Sequence, residues 1–169
     1  LGRTLVTGLA DAGHEMVSID REPTDDLARP GITQFSLDLT DADATASTLA
    51  GTRADALIHL AAIAVPFSAP EDVILRTNAG LAQSVLGGAV RAGIHRVVAA
   101  SSPTVMGYGA PRGWVPDRLP LDETSPTLPW NAYALSKLLI EQTLDMLRRQ
   151  AGDEVRYATF RPCYVIAPE

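Results

Sequence analysis

Five short apolar runs alternate with helix-like segments along the chain, and this alternation limits the folds open to it. The apolar runs predict strands at 16–19, 32–37, 56–60, 96–100 and 155–160. Helical periodicity predicts helices at 3–12, 38–50, 71–92 and 131–149. Strands that alternate with helices form right-handed βαβ units, and such units build a parallel sheet with helices on both faces. The sequence therefore predicts an α/β fold with a doubly wound parallel sheet.

The composition is that of one soluble domain and excludes several classes of partner. The 169 residues carry a net charge of −6, with a pI near 5.0 and no basic cluster, so neither nucleic acid nor an anionic membrane is expected as a partner. No apolar run approaches the roughly 20 residues that span a bilayer. Cys163 is the single cysteine, which leaves no internal disulfide and fits a reducing cytoplasm.

Polar residues follow the predicted strands where ligands bind in such sheets, beyond the carboxyl ends. Asp20 ends one strand, and Ser101 and Ser102 end another. The segment 103–129 holds six of the 12 prolines and predicts a long irregular loop, which in compact domains is usually functional or disordered. For Trp114 and Trp130, a place beside a substrate pocket and a place in the core are both open.

The most specific motif is Tyr133 followed four residues later by Lys137. This spacing puts both side chains on one face of a helix. A phenol with a pKa near 10 is a poor base at neutral pH unless a nearby ammonium favours the phenolate. Lys137 is the only lysine beside 13 arginines, which suggests a position that requires a compact ammonium. The alternative is an amphipathic helix with an exposed lysine.

Tyr-x-x-x-Lys after a strand ending in Ser-Ser resembles the signature of short-chain dehydrogenases/reductases. The run Ser-Ser-Pro-Thr-Val-Met-Gly at 101–107 resembles their extended branch, the NAD-dependent epimerase/dehydratase family, which includes UDP-glucose 4-epimerases, nucleotide-sugar dehydratases and uronate dehydrogenases. The resemblance covers nearly the whole chain and implies a Rossmann-type fold. It implies that Tyr133 exchanges a proton with substrate, Lys137 lowers the pKa of Tyr133 and holds the nicotinamide ribose, and Ser102 donates to the reacting oxygen. Ser101 is the alternative donor, or else caps the strand end.

The resemblance also implies a cofactor site. Gly2 matches the third glycine of the family's phosphate-binding turn, and Asp20 stands where an acidic residue binds the adenosine ribose of NAD. Arg21 could instead contact the 2′-phosphate of NADP, and NAD is favoured. The other expected cofactor-site residues are Asp38 and Leu39 beside the adenine, Leu60, Ala61 and Ala62 as a wall, and Asn78 as a support. His59 reads as a core histidine, and no metal is expected.

The resemblance also predicts that residues 1–169 are part of an NAD(P)-binding domain, without the family's first strand and its carboxy-terminal substrate domain. That strand is central in the doubly wound order, so two inner edges would lack a partner. The 169-residue chain alone is therefore expected to be unstable and to bind NAD poorly.

The residues after the expected catalytic hydroxyl narrow the range of reactions that the resemblance allows. Pro103 and Thr104 stand where dehydratases carry Asp-Glu, which disfavours dehydration, and Met106 replaces a tyrosine usual in the family. The sequence predicts an NAD-dependent oxidoreductase or epimerase acting on a hydroxyl carbon of a sugar or nucleotide sugar. Two alternatives stay open, namely a simple dehydrogenase of a non-nucleotide substrate such as a uronate, and a non-catalytic dinucleotide-sensing or scaffold protein. A homodimer of the complete protein is also left open.

Overall fold

A computed structural model describes residues 1–163 and residue 165. Helices α1 to α4 span Gly2–Asp11, Ala42–Thr52, Glu71–Arg91 and Ala132–Ala151. Strands β1 to β5 span Met16–Asp20, Ile32–Ser36, Leu57–His59, Arg96–Ala100 and Arg156–Phe160. Short 3-10 helices lie at Asp25–Leu27, Pro103–Met106 and Gly152–Glu154. Every helix and strand predicted from the sequence is present, which confirms the α/β class.

All strand pairs of the described residues are parallel, as predicted. β1 pairs with β2 along its whole length, with Met16 opposite Ile32 and Asp20 opposite Ser36. β3, β4 and β5 form a second sheet in that order, in which His59 lies opposite Ala99. Within residues 1–163, β1 and β3 are not hydrogen-bonded to each other, so the strands form two sheets.

The largest part of the core lies between the three-stranded sheet and the long helices α3 and α4. Its fully buried side chains come from α3, β4 and α4, namely Ala82, Leu86, Val97, Ala99, Ile140, Leu144 and Leu147. In contrast, no residue of α1, which lies wholly in the described part of the chain, is buried. The helix pair α3 and α4 therefore forms the rigid support on which the candidate site is built. None of the helices in the described residues is long and apolar enough to cross a bilayer.

The helix predicted at 38–50 begins four residues later than expected, and its cap explains the difference. The side chain of Asp41 accepts a hydrogen bond from the Ala44 N–H and so caps α2 at Ala42. Asp38 accepts from Thr40 instead, through both its N–H at 2.9 Å and its hydroxyl at 2.7 Å. Asp38 therefore lies in a turn beyond β2.

Candidate active site

The first turns of α4 present a row of polar side chains to the end of β4. The Asn131 side chain caps the helix by accepting from the Ala134 N–H at 2.7 Å. Tyr133, Lys137 and Glu141 then follow at intervals of four residues, a spacing that puts all three on one face. The sequence analysis predicted this shared face for Tyr133 and Lys137, and the structure confirms it, since the Lys137 Nζ lies 5.7 Å from the centroid of the Tyr133 ring.

Ser102 lies opposite Tyr133, as the sequence predicted. Its hydroxyl accepts from the Thr104 hydroxyl at 2.9 Å and lies near enough to the Tyr133 phenol to influence the pKa of that group. Burial raises the pKa of the phenol above its ordinary value, and the nearby Ser102 hydroxyl opposes this rise. Burial therefore acts against the lowering of this pKa by Lys137 that the resemblance implies. Thr104 orients Ser102, because both its hydroxyl and its N–H point at the serine oxygen.

Lys137 is an almost fully buried cation, with only 4% of its surface exposed. Its Nζ donates to the Ala100 carbonyl oxygen at 3.0 Å. Burial lowers the pKa of the ammonium to about 8. The alternative of an exposed lysine on an amphipathic helix is thereby ruled out.

His59 is a buried neighbour of this group, as predicted for a core histidine. Burial and then the charge of Lys137 lower the pKa of its imidazole to about 4, which keeps the ring neutral at physiological pH. Its Nε2 has no hydrogen-bond partner among the described residues. A neutral ring leaves Lys137 as the positive charge at this point of the site.

Asn78 ties the loop after β3 to the helix that carries Tyr133. Its Oδ1 accepts from the Ile63 N–H at 2.8 Å, and its Nδ2 donates to the Ile63 carbonyl oxygen at 3.2 Å. The same Nδ2 donates to the Ser136 hydroxyl at 3.0 Å, and Ser136 donates on to the Tyr133 carbonyl oxygen at 2.8 Å. Because these bonds all go to protein groups, Asn78 supports the site through the backbone it holds.

Ser101 points away from Tyr133 and takes part in a second network. Its N–H donates to the Phe160 carbonyl oxygen at 2.8 Å, and its hydroxyl donates to Glu141 Oε1 at 2.5 Å. Arg161 binds the same carboxylate with both Nε, at 2.9 Å, and Nη2, at 2.8 Å. Ser101 thus joins the end of β4 to β5 and to α4.

The expected adenosine-binding residues lie together at the carboxyl ends of β1 and β2. Asp20 is exposed, and one of its oxygens accepts from the Arg21 N–H at 2.7 Å. The hydrogen bonds from Thr40, and then the charge of Arg21, hold the pKa of Asp38 below its ordinary value. Two carboxylates and one guanidinium are therefore open to solvent at this edge.

Of the other residues predicted to bind the cofactor, some lie at or near the end of β3 and one lies in the core. A Cβ on Gly2 would lie 3.8 Å from a methyl group of Leu60, so the start of α1 comes close to the end of β3. Ala61 and Ala62 follow Leu60 and are half-buried. The Leu39 side chain is buried with Leu81 and Val85, and its carbonyl oxygen accepts from the Ser84 hydroxyl at 2.6 Å, so Leu39 packs in the core.

The loop after Ser102 carries a cluster of aromatic side chains. Gly107 has a φ of 96°, and a Cβ there would lie 2.6 Å from Trp114 Cδ1, so only glycine is accommodated. Trp114 packs edge-on against Tyr108, and Trp130 donates to the Tyr108 carbonyl oxygen at 3.2 Å. The two tryptophans are partly exposed and pack on this loop rather than in the main core.

Residues 1–163 and 165 contain no group of three or more His, Cys, Asp or Glu side chains that could hold a metal ion. The polar groups of the site are the tyrosine, lysine, serine and asparagine described above. Their arrangement can move a proton to or from a bound oxygen atom beside a neutral imidazole and a buried ammonium.

Comparison with known proteins decides the family. The model of the NAD dependent epimerase/dehydratase family matches residues 1–169. The chain belongs to this family. A UDP-glucose 4-epimerase of Azospirillum brasilense is 34% identical over 159 residues, which cover 90% of this chain and 42% of that protein. A 3 beta-hydroxysteroid dehydrogenase/Delta 5-->4-isomerase of Mycobacterium tuberculosis is 35% identical over 112 residues, covering 63% of this chain and 30% of that protein.

Solved epimerase structures share the fold. The UDP-glucose 4-epimerase from Brucella ovis in complex with NAD is 27% identical, with a TM-score of 0.80 over 95% of this chain and 47% of that one. The chain thus spans less than half the length of the curated relatives it matches. Its two sheets and its helices correspond to one part of such a protein.

Two residues of the site in this family member were missed by the sequence analysis. No role was predicted for Glu141 or Ser136, although both lie on the helix of Tyr133 and Lys137. Glu141 could have been found by continuing the interval of four residues one step further along the helix. Ser136 gives no such signal, since its importance depends on contact with Asn78 of another helix.

Proposed function

We propose that the complete protein transfers a hydride between NAD and a hydroxyl carbon of a sugar or nucleotide sugar, and that this chain is part of its cofactor-binding domain. The observation that carries the proposal is the buried Lys137 ammonium 5.7 Å from the centroid of the Tyr133 ring, with the Ser102 hydroxyl near the same phenol. A surface helix with an unrelated role would not bury its lysine beside a tyrosine, since a buried ammonium is costly to maintain.

The residues act on the proton while NAD, when bound, supplies the hydride acceptor. The Tyr133 phenolate oxygen takes the proton of the substrate hydroxyl and returns it in the reverse direction. Ser102 donates a hydrogen bond to the same substrate oxygen, where charge changes during the reaction. Lys137 has ammonium protons beyond the one given to Ala100, and these can bind a ribose hydroxyl and stabilise the phenolate.

The exposed carboxylate of Asp20 favours NAD over NADP. One of its oxygens accepts from Arg21, which leaves the other for a pair of ribose hydroxyls. A 2′-phosphate there would meet the negative charges of Asp20 and Asp38. Gly2, Leu39, Leu60, Ala61 and Ala62 would line the rest of the cofactor, and Asn78 would hold the loop beside it.

A sugar or nucleotide sugar is the substrate class that the relatives favour, since one of them is named as a UDP-glucose 4-epimerase. The Thr104 hydroxyl donates its proton to Ser102, and the Pro103 side chain has no titratable group. Neither residue therefore supplies the extra acid and base that a dehydration requires. A simple dehydrogenase of a non-nucleotide substrate is the second candidate. The relative named as a hydroxysteroid dehydrogenase supports it, as does Met106 in place of a phenol.

The deciding experiment replaces Tyr133 with phenylalanine in the complete protein. On a panel of nucleotide sugars, uronates and hydroxysteroids with NAD, wild-type protein should turn over at least one member. Tyr133→Phe should lower kcat by about 10²–10⁴-fold, the contribution typical of a positioned acid–base group. NAD affinity, measured by calorimetry, should change little because the ring is retained.

Tyr157→Phe is the matched control, since the Tyr157 hydroxyl contacts Asp145 on the far part of α4. That variant should keep kcat within about twofold. Wild-type turnover by Tyr133→Phe would contradict the proposal, and tight NAD binding by a wild-type protein that is inert on the panel would favour a dinucleotide sensor. A homodimeric state and a location in the cytoplasm stay predictions.

A further inference from the structure

We propose that Glu141 is a positioning residue, which holds Ser101 away from the substrate and thereby fixes Ser102 as the hydroxyl that faces Tyr133. The inference rests on the function proposed above and adds the choice between two adjacent serines. It starts from a repeated pattern of contacts between α4 and the end of β4.

Three consecutive residues at the end of β4 are each held by a side chain of α4. Lys137 binds the Ala100 carbonyl oxygen at 3.0 Å, and Glu141 accepts the Ser101 hydroxyl at 2.5 Å. Ser102, the third, lies near the phenol of Tyr133. Since the three helix residues stand one turn apart, the contacts set the register of the strand end against the helix.

The contact with Glu141 decides what Ser101 can do. A serine hydroxyl has one proton to donate. In Ser101 that proton goes to the carboxylate, so Ser101 has none left for a substrate oxygen. Ser102 accepts from Thr104, so its own proton stays available for an acceptor near the Tyr133 phenol. The two adjacent hydroxyls therefore have separate tasks, and Glu141 is the group that separates them.

Arg161 keeps the carboxylate in place from the other side. Its two hydrogen bonds form a planar fork on Glu141, and the side chains are only 19% and 14% exposed. Such a bidentate pair fixes the direction of the carboxylate as well as its charge. Because Arg161 follows β5, the ends of β4 and β5 and the face of α4 are joined at one carboxylate.

The test is a double-mutant cycle in the complete protein with NAD and a substrate that the wild type turns over. Ser101→Ala and Glu141→Ala both break the bond that sets the end of β4 against α4. Each is therefore expected to lower kcat by about 10-fold to 100-fold, with KM changed less than about threefold, because a small misplacement of the neighbouring Ser102 costs this much. If Glu141 acts through Ser101, the double variant should be little slower than the slower single variant, and not slower by the product of both effects.

Two further variants separate positioning from folding. Glu141→Gln keeps an acceptor oxygen for Ser101 and should recover most of the kcat lost in Glu141→Ala. Asp145→Ala removes a carboxylate one turn further along α4, where it contacts the Tyr157 hydroxyl, and should lower Tm with kcat within about twofold of wild type. If Glu141→Ala does not fold, Ser101→Ala and Glu141→Gln carry the test, since both leave a side chain for Arg161 to bind.

Multiplicative effects in the cycle, or unchanged kcat in both Ser101→Ala and Glu141→Ala, would overturn the inference. Tyr133→Phe in the same assay distinguishes a failure of the positioning role of Glu141 from a failure of the proposed function. If that variant is inactive while the Glu141 variants are not, only the positioning role is wrong. If it is fully active, the proposed function fails and the role of Glu141 fails with it.

Discussion

Two side-chain amides make the same pair of hydrogen bonds in two parts of the molecule. Gln34 on β2 accepts from the Thr24 N–H at 3.0 Å and donates to the Thr24 carbonyl oxygen at 3.1 Å. Asn78 on α3 does the same with Ile63, at 2.8 and 3.2 Å. Gln34 is partly exposed and holds a surface loop, whereas Asn78 is 1% exposed and also binds Ser136.

The contrast extends to the regions in which the two amides lie. In the amino-terminal region, from α1 to β2, the polar groups predicted to bind the cofactor are exposed, and α1 is held by surface ion pairs such as Arg3 with Asp26. In the region of β3 to β5, Asn78, Ser136 and Lys137 are buried and hydrogen-bonded to other protein groups. Recognition of a ribose hydroxyl requires only an accessible carboxylate, whereas proton transfer requires groups held in place by a surrounding network.

The largest predicted effect concerns Lys137 and sharpens this contrast. Its pKa is about 8 in the folded protein and 10.5 as a reference value, so the unfolded state binds more protons between these pH values. Stability must therefore rise with pH from 8 to 10.5. Relative to Lys137→Met, the free energy of unfolding of the wild type should increase by about 3 kcal/mol over this range.

Urea unfolding at several pH values, compared between wild type and Lys137→Met, measures this difference and cancels the titration of the other groups. Arg3→Met is the exposed control, for which the difference should be flat with pH. A flat difference for Lys137→Met as well would mean that the buried region solvates its ammonium as well as water does, and the contrast would fail.

The next effect compares the two amides directly. Asn78→Ala should lower the free energy of unfolding by about 2 kcal/mol or more, because it leaves the buried Ser136 hydroxyl and the Ile63 backbone groups without this partner. Gln34→Ala should cost about 0.5–1 kcal/mol, since water can reach the Thr24 backbone. Denaturant unfolding of both variants tests the comparison. Equal losses in the free energy of unfolding would show that burial does not determine how much such a pair of amide hydrogen bonds stabilises the protein.

The smallest effect is expected at the exposed cofactor edge. Asp20→Asn should weaken NAD binding by about tenfold, or 1.4 kcal/mol, with stability unchanged, and should narrow the preference for NAD over NADP. Calorimetric titration with both dinucleotides measures this, with Asp26→Asn as an exposed carboxylate control. If Asp26→Asn weakens binding as much as Asp20→Asn does, general charge rather than Asp20 recognises the ribose.

Much of the fold could be predicted because local signals carry it. The run 16–19, three of whose four residues are apolar, predicts the strand ending at Asp20, and the predicted strand 96–100 agrees with β4 at both ends. The start of α2 was misplaced because Asp38 and Asp41 are both good caps in sequence, and only the contacts of each show which one is used. The pairing of strands into two sheets is likewise a matter of distant contacts.

For the candidate site, the sequence by itself pointed to Tyr133 and Lys137 through their helical spacing and to Ser102 through the resemblance of the run 101–107 to the family, because both signals are local. Only the tertiary structure decided that Ser101 belongs to Glu141, that Asn78 holds Ile63 and Ser136, and that the pKa of Lys137 falls to about 8. The physical reason is that burial and hydrogen-bond partners arise where separate elements meet. Contacts between elements that are distant in sequence leave no periodic pattern from which they could be predicted.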